Sequence, residues 1–293
     1  MMTPTVIFPA LYLGSRELYH SLLSMPGYVL PVVEPGFVER TGYAGGCLVD
    51  DFTDVPRLLA ALGDWSRSTG RTFGGVLAVD DEDQFETSRA IARHFGLRLY
   101  DDATLSAASN KLLMTRRFVR HGVPTGNFLL WDGLDLRAGE GVGFPNVLKT
   151  VTGSGSEYVF LNRDTGELAD NARYLLDTLR DVRDDPRYRE ISASLAGRTR
   201  RFDPRREFLL EEYLEGEEYS CDFAVHDGRV RLLRVVKKLR GAFLGSFGGF
   251  YLMNERSAAS EGLDLEELTS VCGRVARALG VESGVQMVDL VKC

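Results

Sequence analysis

Two stretches decide the reading of this chain. The first is Phe144-Pro-Asn-Val-Leu-Lys-Thr-Val-Thr-Gly-Ser-Gly-Ser-Glu-Tyr-Val159, and the second is Phe208-Leu-Leu-Glu-Glu-Tyr-Leu-Glu-Gly-Glu-Glu-Tyr-Ser-Cys-Asp222. In the first, the run Asn146 to Val151 has the β-branched and apolar character of a strand and carries Lys149 near its end. A lysine there is costly unless it meets an anion. Thr152 to Ser156 follows at once. Its glycines allow backbone N–H groups to converge on a phosphate, and its serines add hydroxyl donors. Alone, the segment fits a plain hairpin with a surface lysine equally well. In the second stretch, Phe208 to Leu210 is an apolar strand running into a cluster of six acidic residues between Glu207 and Glu218. Such a cluster is normally a solvated edge. With Gly216 permitting a tight turn, it also fits a hinge. That hinge would present Glu211 or a backbone group to an adenine amine, and Glu218 to ribose hydroxyls, which a carboxylate accepts from readily.

Outward from these stretches, the first hundred residues alternate strand and helix signals. Thr5 to Phe8, Tyr28 to Val33 and Gly74 to Val79 read as strands. Between and after them, Asp54 caps a helix that buries Val55, Leu58, Leu59 and Leu62. A second helix carries Phe85, Ile91, Ala92 and Phe95 and stops at Gly96. This alternation implies a parallel sheet with helices on both faces, a Rossmann-like domain. The turn after the first strand, Pro9 to Gly14, is not G-x-G-x-x-G. The domain is therefore read as a scaffold with a substrate edge, in preference to a dinucleotide site.

Further along, Ser109 to His121 reads as one helix with Ser109 as its N-cap and Gly122 as its stop. Strand signals return at Phe128 to Trp131 and Tyr158 to Leu161, and Leu168, Ala172, Leu175, Leu176 and Leu179 mark a helix. Arg180 to Arg206 is rich in Arg and Asp and reads as a solvated insertion, or alternatively as an arginine patch for an acidic substrate. Asp227-Gly228 is a hairpin turn between Tyr219 to Val225 and Val230 to Val236. Asp264 and Glu267 resemble a capping box for a helix burying Leu268, Val271, Val275 and Leu279, with Gly280 ending it, and Gly284 to Val291 is a last strand.

Composition bounds the function. Apolar residues at 44% and charged residues at 26% are ordinary for a globular protein, and a net charge of -7 argues against a nucleic-acid partner. No apolar run has the roughly 18 residues of a membrane span. Met1 to Leu13 lacks the features of a signal peptide, so a cytoplasmic location is expected. Cys47, Cys221, Cys272 and Cys293 are scattered, with no Cys-x-x-Cys, and read as free thiols. His20, His94, His121 and His226 have no ligand partner at helical spacing and read as structural or exposed.

Taken in order, Asn110-Lys111, Val147-Leu-Lys149 with Gly153-Ser-Gly-Ser156, Glu211 to Tyr219, and Gln286-Met-Val-Asp289 resemble the ATP-grasp superfamily. D-alanine–D-alanine ligases, biotin carboxylases, carbamoyl-phosphate synthases and L-amino acid ligases share this order. No P-loop motif occurs anywhere in the chain. The resemblance implies an α/β fold with a Rossmann-like domain at 1–107, a lid subdomain at 108–213 with its insertion near 180–206, and a C-terminal grasp subdomain at 214–293. It implies ATP and Mg²⁺ as cofactors. Lys111 and Lys149 would meet the phosphates, under a mobile loop containing Ser154, Gly155 and Ser156. Glu211 and the backbone at Leu214 would meet adenine, and Glu218 the ribose. Either Lys237 or Lys238 would be a further phosphate contact, the two lying on opposite faces of their strand. Asp289 would be a Mg²⁺ ligand.

The activity implied is an ATP-dependent carboxylate–amine ligase working through an acyl phosphate, with a small-molecule carboxylate and an amine as substrates. No nucleic-acid or membrane partner is implied, and a homo-oligomer is compatible. The family's Glu-x-Asn motif, which supplies its remaining metal ligands, is expected a dozen or so residues after the aspartate, whereas Cys293 stands four residues after Asp289. Two alternatives therefore stand beside the ligase. One is a nucleotide-binding module or fragment without turnover, and the other is a small-molecule kinase of the same superfamily. Low turnover of the chain as given is expected.

Overall fold

The computed structural model describes residues 5–9, 29–33, 35, 36, 38, 47–50, 54–77, 82–132, 135–153, 156–182, 188, 190–195, 198–242 and 246–293. Two compact units make up the chain, Met1–Leu99 and Tyr100–Cys293.

In the first unit, β1 (Thr5–Pro9), β2 (Val29–Val33), β3 (Leu48–Val49) and β4 (Phe73–Val76) form one sheet in the order β3-β2-β1-β4. Every pairing in it is parallel. A parallel sheet needs both faces covered, and crossover helices supply the cover. Helix α1 (Val55–Thr69) begins where the Asp54 carboxylate accepts the Arg57 N–H at 3.1 Å, and it ends at Gly70 in the left-handed region. Helix α2 is Glu82–Phe95. Leu58, Leu62, Ile91 and Ala92 from the two helices pack with Ile7, Leu30, Val32 and Val76 of the strands. The expected Rossmann-like arrangement is present.

The second unit holds two antiparallel sheets and a hairpin. Its first helix, α3 (Asp102–Ser109), packs against α4 (Lys111–Arg120), so residues 100–107 go with this unit. The helix expected from Ser109 to His121 is α4, but its N-cap is Asn110, one residue later than expected, and Ser109 instead ends the separate helix α3. Asn110 Oδ1 caps α4 by accepting the Leu113 N–H at 3.0 Å, whereas Ser109 Oγ donates back to Leu105 O at 2.9 Å. A hydroxyl spent on its own helix cannot cap the next one.

The first antiparallel sheet has the order β5-β10-β6-β7, with β5 Phe128–Trp131, β6 Asn146–Thr150, β7 Val159–Asn162 and β10 Phe208–Glu212. Its pairs run Leu209↔Lys149 and Glu211↔Val147. On one face Leu148, Phe208 and Leu210 meet Leu168, Ala172, Leu175 and Leu179. Those four come from a helix, Thr165–Arg180, and lie at i, i+4, i+7 and i+11. A short helix, α5 (Arg137–Val142), precedes β6 in sequence, and the Thr165–Arg180 helix is α6. On the other face Leu209 meets Leu112 of α4, Val151 and Phe202. Truncating one of these fully buried leucines to alanine costs about 2–5 kcal/mol.

Phe202 overturns the expected solvated insertion over 180–206. It closes β9 (Arg198–Phe202), which pairs with β8 (Ile191–Leu195), and both Phe202 and Tyr188 are buried. A strand needs only alternate residues apolar. Two arginines of β9 are charge-paired, Arg201 with Glu190 at 2.6 Å and Arg200 with Glu207.

The second antiparallel sheet has the order β13-β12-β11-β14, with β11 Glu217–His226, β12 Arg229–Arg240, β13 Phe247–Met253 and β14 Gly284–Lys292. Asp227 and Gly228 join β11 to β12 with φ of 48° and 74°, the positive pair that a two-residue hairpin turn requires. Helix α7 (Glu255–Ser260) follows β13, and α8 (Leu265–Leu279) covers one face of the sheet. Asp264 caps α8 at the N–H groups of Glu266 and Glu267, and Gly280 ends it with φ of 82°. Val271, Cys272, Val275 and Leu279 of α8 pack on Tyr219, Cys221, Phe223 and Val235, while Leu268 is only partly buried. Among the described residues no helix is long and apolar enough to cross a membrane.

Candidate functional site

Lys149 and Glu211 lie on neighbouring strands of the first antiparallel sheet, on the face that α4 packs against. Their side chains form an ion pair, each about one-fifth exposed. Lys111 stands at the first position of α4, where its backbone N–H donates to Val151 O at 2.8 Å and its Nζ to Gly153 O at 2.5 Å. The start of α4 is thereby tied to the segment that follows β6. Gly153 has φ of 93°, which favours glycine, and Ser156 has φ of 60°. Ser154 and Gly155 lie outside the described residues.

The second antiparallel sheet presents a grid on its face away from α8. Phe250, Lys238, Glu218 and Val291 make one row across the four strands, and Leu252, Val236, Ser220 and Asp289 the next. Arg234, Asp222 and Met287 make a third. Lys238 Nζ pairs with Asp289 at 2.6 Å, Ser220 Oγ bonds the same carboxylate, and Arg234 pairs with Asp222.

The register separates the two lysines that sequence reading left open. Lys238 shares its face with Glu218 and Asp289. Lys237 points to the α8 side, where Glu261 at 2.8 Å and Glu217 at 3.1 Å hold it and raise its pKa above the ordinary lysine range. The Glu261 carboxyl is in turn lowered, chiefly by Lys237.

Sequence reading missed Arg240. Its guanidinium donates to Gly216 O at 2.6 Å and to Tyr213 Oη at 3.1 Å, and lies 3.5 Å from Glu218. The arginine thus fixes the turn that presents Glu218. Its place two residues after Lys238 was the available signal, weakened by the irregular register between Leu239 and Arg240. Gly216 has a role beyond the turn, because a methyl group there would overlap the carbonyl of Lys292 on β14.

A cavity of about 590 Å³ touches Glu211, Leu214 and Asp289 and continues between α4, α8 and the core side of β14 along Phe118, Leu268 and Leu290. Lys111, Lys149 and Lys238 are not in its lining. The cavity therefore adjoins the hinge end of the expected site and not the lysines. Among the described residues no three His, Cys, Asp or Glu side chains gather as a metal site. Asp222 and Glu212 do not join Asp289 in one, since Asp222 holds Arg234 and Glu212 accepts the Asn127 N–H at 3.0 Å. The cysteines are free, as expected.

This architecture is shared with solved structures. The L-amino acid ligase from Bacillus licheniformis superimposes with a TM-score of 0.64 at 15% identity, over 99% of this chain and 64% of that one. The D-alanine–D-alanine ligase from Bacillus anthracis complexed with ATP gives 0.56 at 15% identity, over 100% of this chain and 82% of that one. The chain has the ATP-grasp fold. In sequence it is 29% identical over 174 residues to the uncharacterized protein y4rH of Sinorhizobium fredii, a match spanning 58% of this chain and 32% of that protein. No protein-family model matches. The matched stretch thus spans about a third of that curated relative, and the chain spans just under two thirds of the L-amino acid ligase.

Proposed function

We propose that the chain is the nucleotide-binding part of an ATP-dependent carboxylate–amine ligase. The observation that carries this reading is the register that puts Glu218, Lys238 and Asp289 on one open face of the second antiparallel sheet. The Lys149–Glu211 pair on the other antiparallel sheet and the Lys111–Gly153 tie support it.

ATP supplies the phosphoryl group. Glu211 and Leu214 bind its adenine end, and Glu218, steadied by Arg240, accepts from the ribose. Lys111, Lys149 and Lys238 neutralise the phosphate oxygens, with the loop containing Ser154, Gly155 and Ser156 closing over them. A substrate carboxylate oxygen attacks the γ-phosphorus, the bond to the β–γ bridging oxygen breaks, and ADP leaves. The amine nitrogen then attacks the acyl carbon. The bond to the phosphate oxygen breaks, phosphate leaves, and the surplus proton goes to solvent. No side-chain nucleophile is needed.

Three of the binding residues are paired within the chain: Lys149 with Glu211, Lys238 with Asp289, and Glu218 beside Arg240. Nucleotide entry therefore exchanges these partners. The Mg²⁺ that ATP carries is a poorer fit. Asp289 is a single carboxylate already engaged by Lys238 and Ser220, and a hard cation takes about six oxygens. Asp289 is proposed as one contact for that ion, and no step is assigned to the metal. This lone carboxylate favours a second reading, a nucleotide-binding module without turnover.

The test is a screen of acid and amine pairs for ADP release, run beside direct ATP binding. ADP and phosphate release requiring both substrates supports the ligase. Binding with no release supports the module. A phosphorylated product without an amine identifies a kinase. Absence of ATP binding removes all three.

A further inference from the structure

Three described residues at the two ends of the Gly/Ser run meet one buried side chain, Tyr188. This tyrosine lies within the 180–206 stretch and is only 1% exposed. Its ring belongs to the apolar cluster between the first antiparallel sheet and α6, with Leu148, Leu168 and Phe208. Its hydroxyl donates to Glu157 Oε2 at 3.1 Å. The Tyr158 ring meets it edge-on, with centroids 6.0 Å apart. At the other end of the run, a methyl group built on Gly153 would stand 3.3 Å from the same hydroxyl. Gly153 O also accepts from Lys111 Nζ, so the start of α4 reaches the same point.

Residues 153 to 156 read Gly-Ser-Gly-Ser. Such a run has little intrinsic stiffness, and each residue fixed on binding costs backbone entropy. A ligand that must order it meets a lower cost where the flanks are already held. A phenol suits that task, because its rigid ring anchors in hydrocarbon while its hydroxyl reaches a polar partner. Buried tyrosines usually find such a partner. What sets Tyr188 apart is that its partner and its packing neighbours bracket the run proposed to hold the phosphates.

We propose that Tyr188 is a positioning residue for the nucleotide phosphates. Anchored in the core, it holds Gly153 on one side and Glu157 and Tyr158 on the other, so the Gly/Ser run between them is presented to the phosphates with both flanks fixed. It touches no reacting atom. The 180–206 stretch thereby serves the nucleotide site through one side chain. The inference rests on the nucleotide reading of the Gly/Ser run, and its test does not require turnover.

Calorimetric titration with ATP on the full chain compares the wild type, Tyr188→Phe, Glu157→Ala and the double variant. Tyr188→Phe keeps the buried ring and removes only the hydroxyl, and Glu157 is exposed, so all are expected to fold, with far-UV circular dichroism as the check. Tyr188→Phe is expected to weaken ATP about three- to tenfold, the size of one ordinary hydrogen bond. The loss should shrink below about twofold when Glu157 is already alanine, because the two residues act through one bond. A tyrosine that merely fills the core would give the same change in both backgrounds. Hydrogen exchange without nucleotide gives an independent reading, in which residues 153–158 exchange faster in Tyr188→Phe than in the wild type. Unchanged ATP affinity in a folded Tyr188→Phe protein, an equal loss in the Glu157→Ala background, or unchanged exchange overturns the positioning role while the nucleotide reading stands. A wild type that binds no ATP brings down the nucleotide reading, and the proposal with it.

Discussion

Replacing Lys149 by alanine separates a phosphate contact from a merely structural ion pair. Lys149 and Glu211 pair on adjoining strands, each with about one-fifth of its side chain exposed. A solvent-exposed pair contributes about 0–1 kcal/mol, and removing one partner of a fully buried pair costs about 3–5 kcal/mol. This pair lies between those limits, so Lys149→Ala should lower folding stability by about 1–2 kcal/mol and leave the protein folded. A charge-assisted bond to a phosphate oxygen contributes about 1.5–3 kcal/mol, so ATP affinity should fall by about 10- to 150-fold. Calorimetric titration with ATP and urea unfolding of the same samples measure the two effects separately. The double variant Lys149→Ala with Glu211→Gln should recover most of the stability, because no carboxylate is left unpaired, and none of the affinity. A folded Lys149→Ala protein with wild-type ATP affinity would refute the phosphate role and leave Lys149 as the structural partner of Glu211.

Other perturbations follow from the same geometry. Lys238→Ala should weaken ATP about tenfold while Lys237→Ala changes it less than twofold, since Lys237 is committed to Glu261 and Glu217 on the opposite face; equal effects would mean the register argument is mistaken. Glu218→Gln should weaken ATP more than a nucleotide lacking ribose hydroxyls, because an amide keeps one acceptor oxygen where the carboxylate has two; equal losses would move Glu218 off the ribose. Gly216→Ala should destabilise by about 1–3 kcal/mol in urea unfolding, because the added methyl displaces the Lys292 carbonyl on β14; an unchanged midpoint would show that the strand end yields freely. Asp101→Ala should cost about 1 kcal/mol by uncapping α3. The Asp101 carboxyl is lowered by the Thr104 N–H, so its contribution is fully present above the ordinary aspartate pKa near 4 and is lost as pH falls through its lower folded value. Wild type and variant should therefore converge in stability in acid, and a gap that widened there would contradict the sign.

Where local chemistry decided a feature, sequence reading found it. Phe208 to Leu210 could only be a buried strand, and Asp227-Gly228 could only turn a hairpin. Asp54 and Asp264 cap helices through short side chains acting within four residues. Features set by partners distant in sequence were not legible. Ser109 and Asn110 are both good caps, and the choice between them rests on how α3 and α4 break. The β8–β9 hairpin was hidden because its arginines dominate the composition, whereas Phe202, with Ile191 beside it, anchors it to Leu112 and Leu209. Strand alternation showed that Lys237 and Lys238 differ in face, but only the pairing with β11 and β14 says which face holds Asp289. Strand β13 was not foreseen at all, since Gly248 and Gly249 dilute its apolar pattern.

The most direct test of the nucleotide site is hydrogen exchange on the full chain with and without Mg-ATP. The account predicts slowed exchange in two blocks, residues 149–156 and residues 211–218, as the Gly/Ser loop orders over the phosphates and the hinge takes up adenine and ribose. Unchanged exchange in both blocks under saturating ATP, or protection confined to residues outside them, would contradict it.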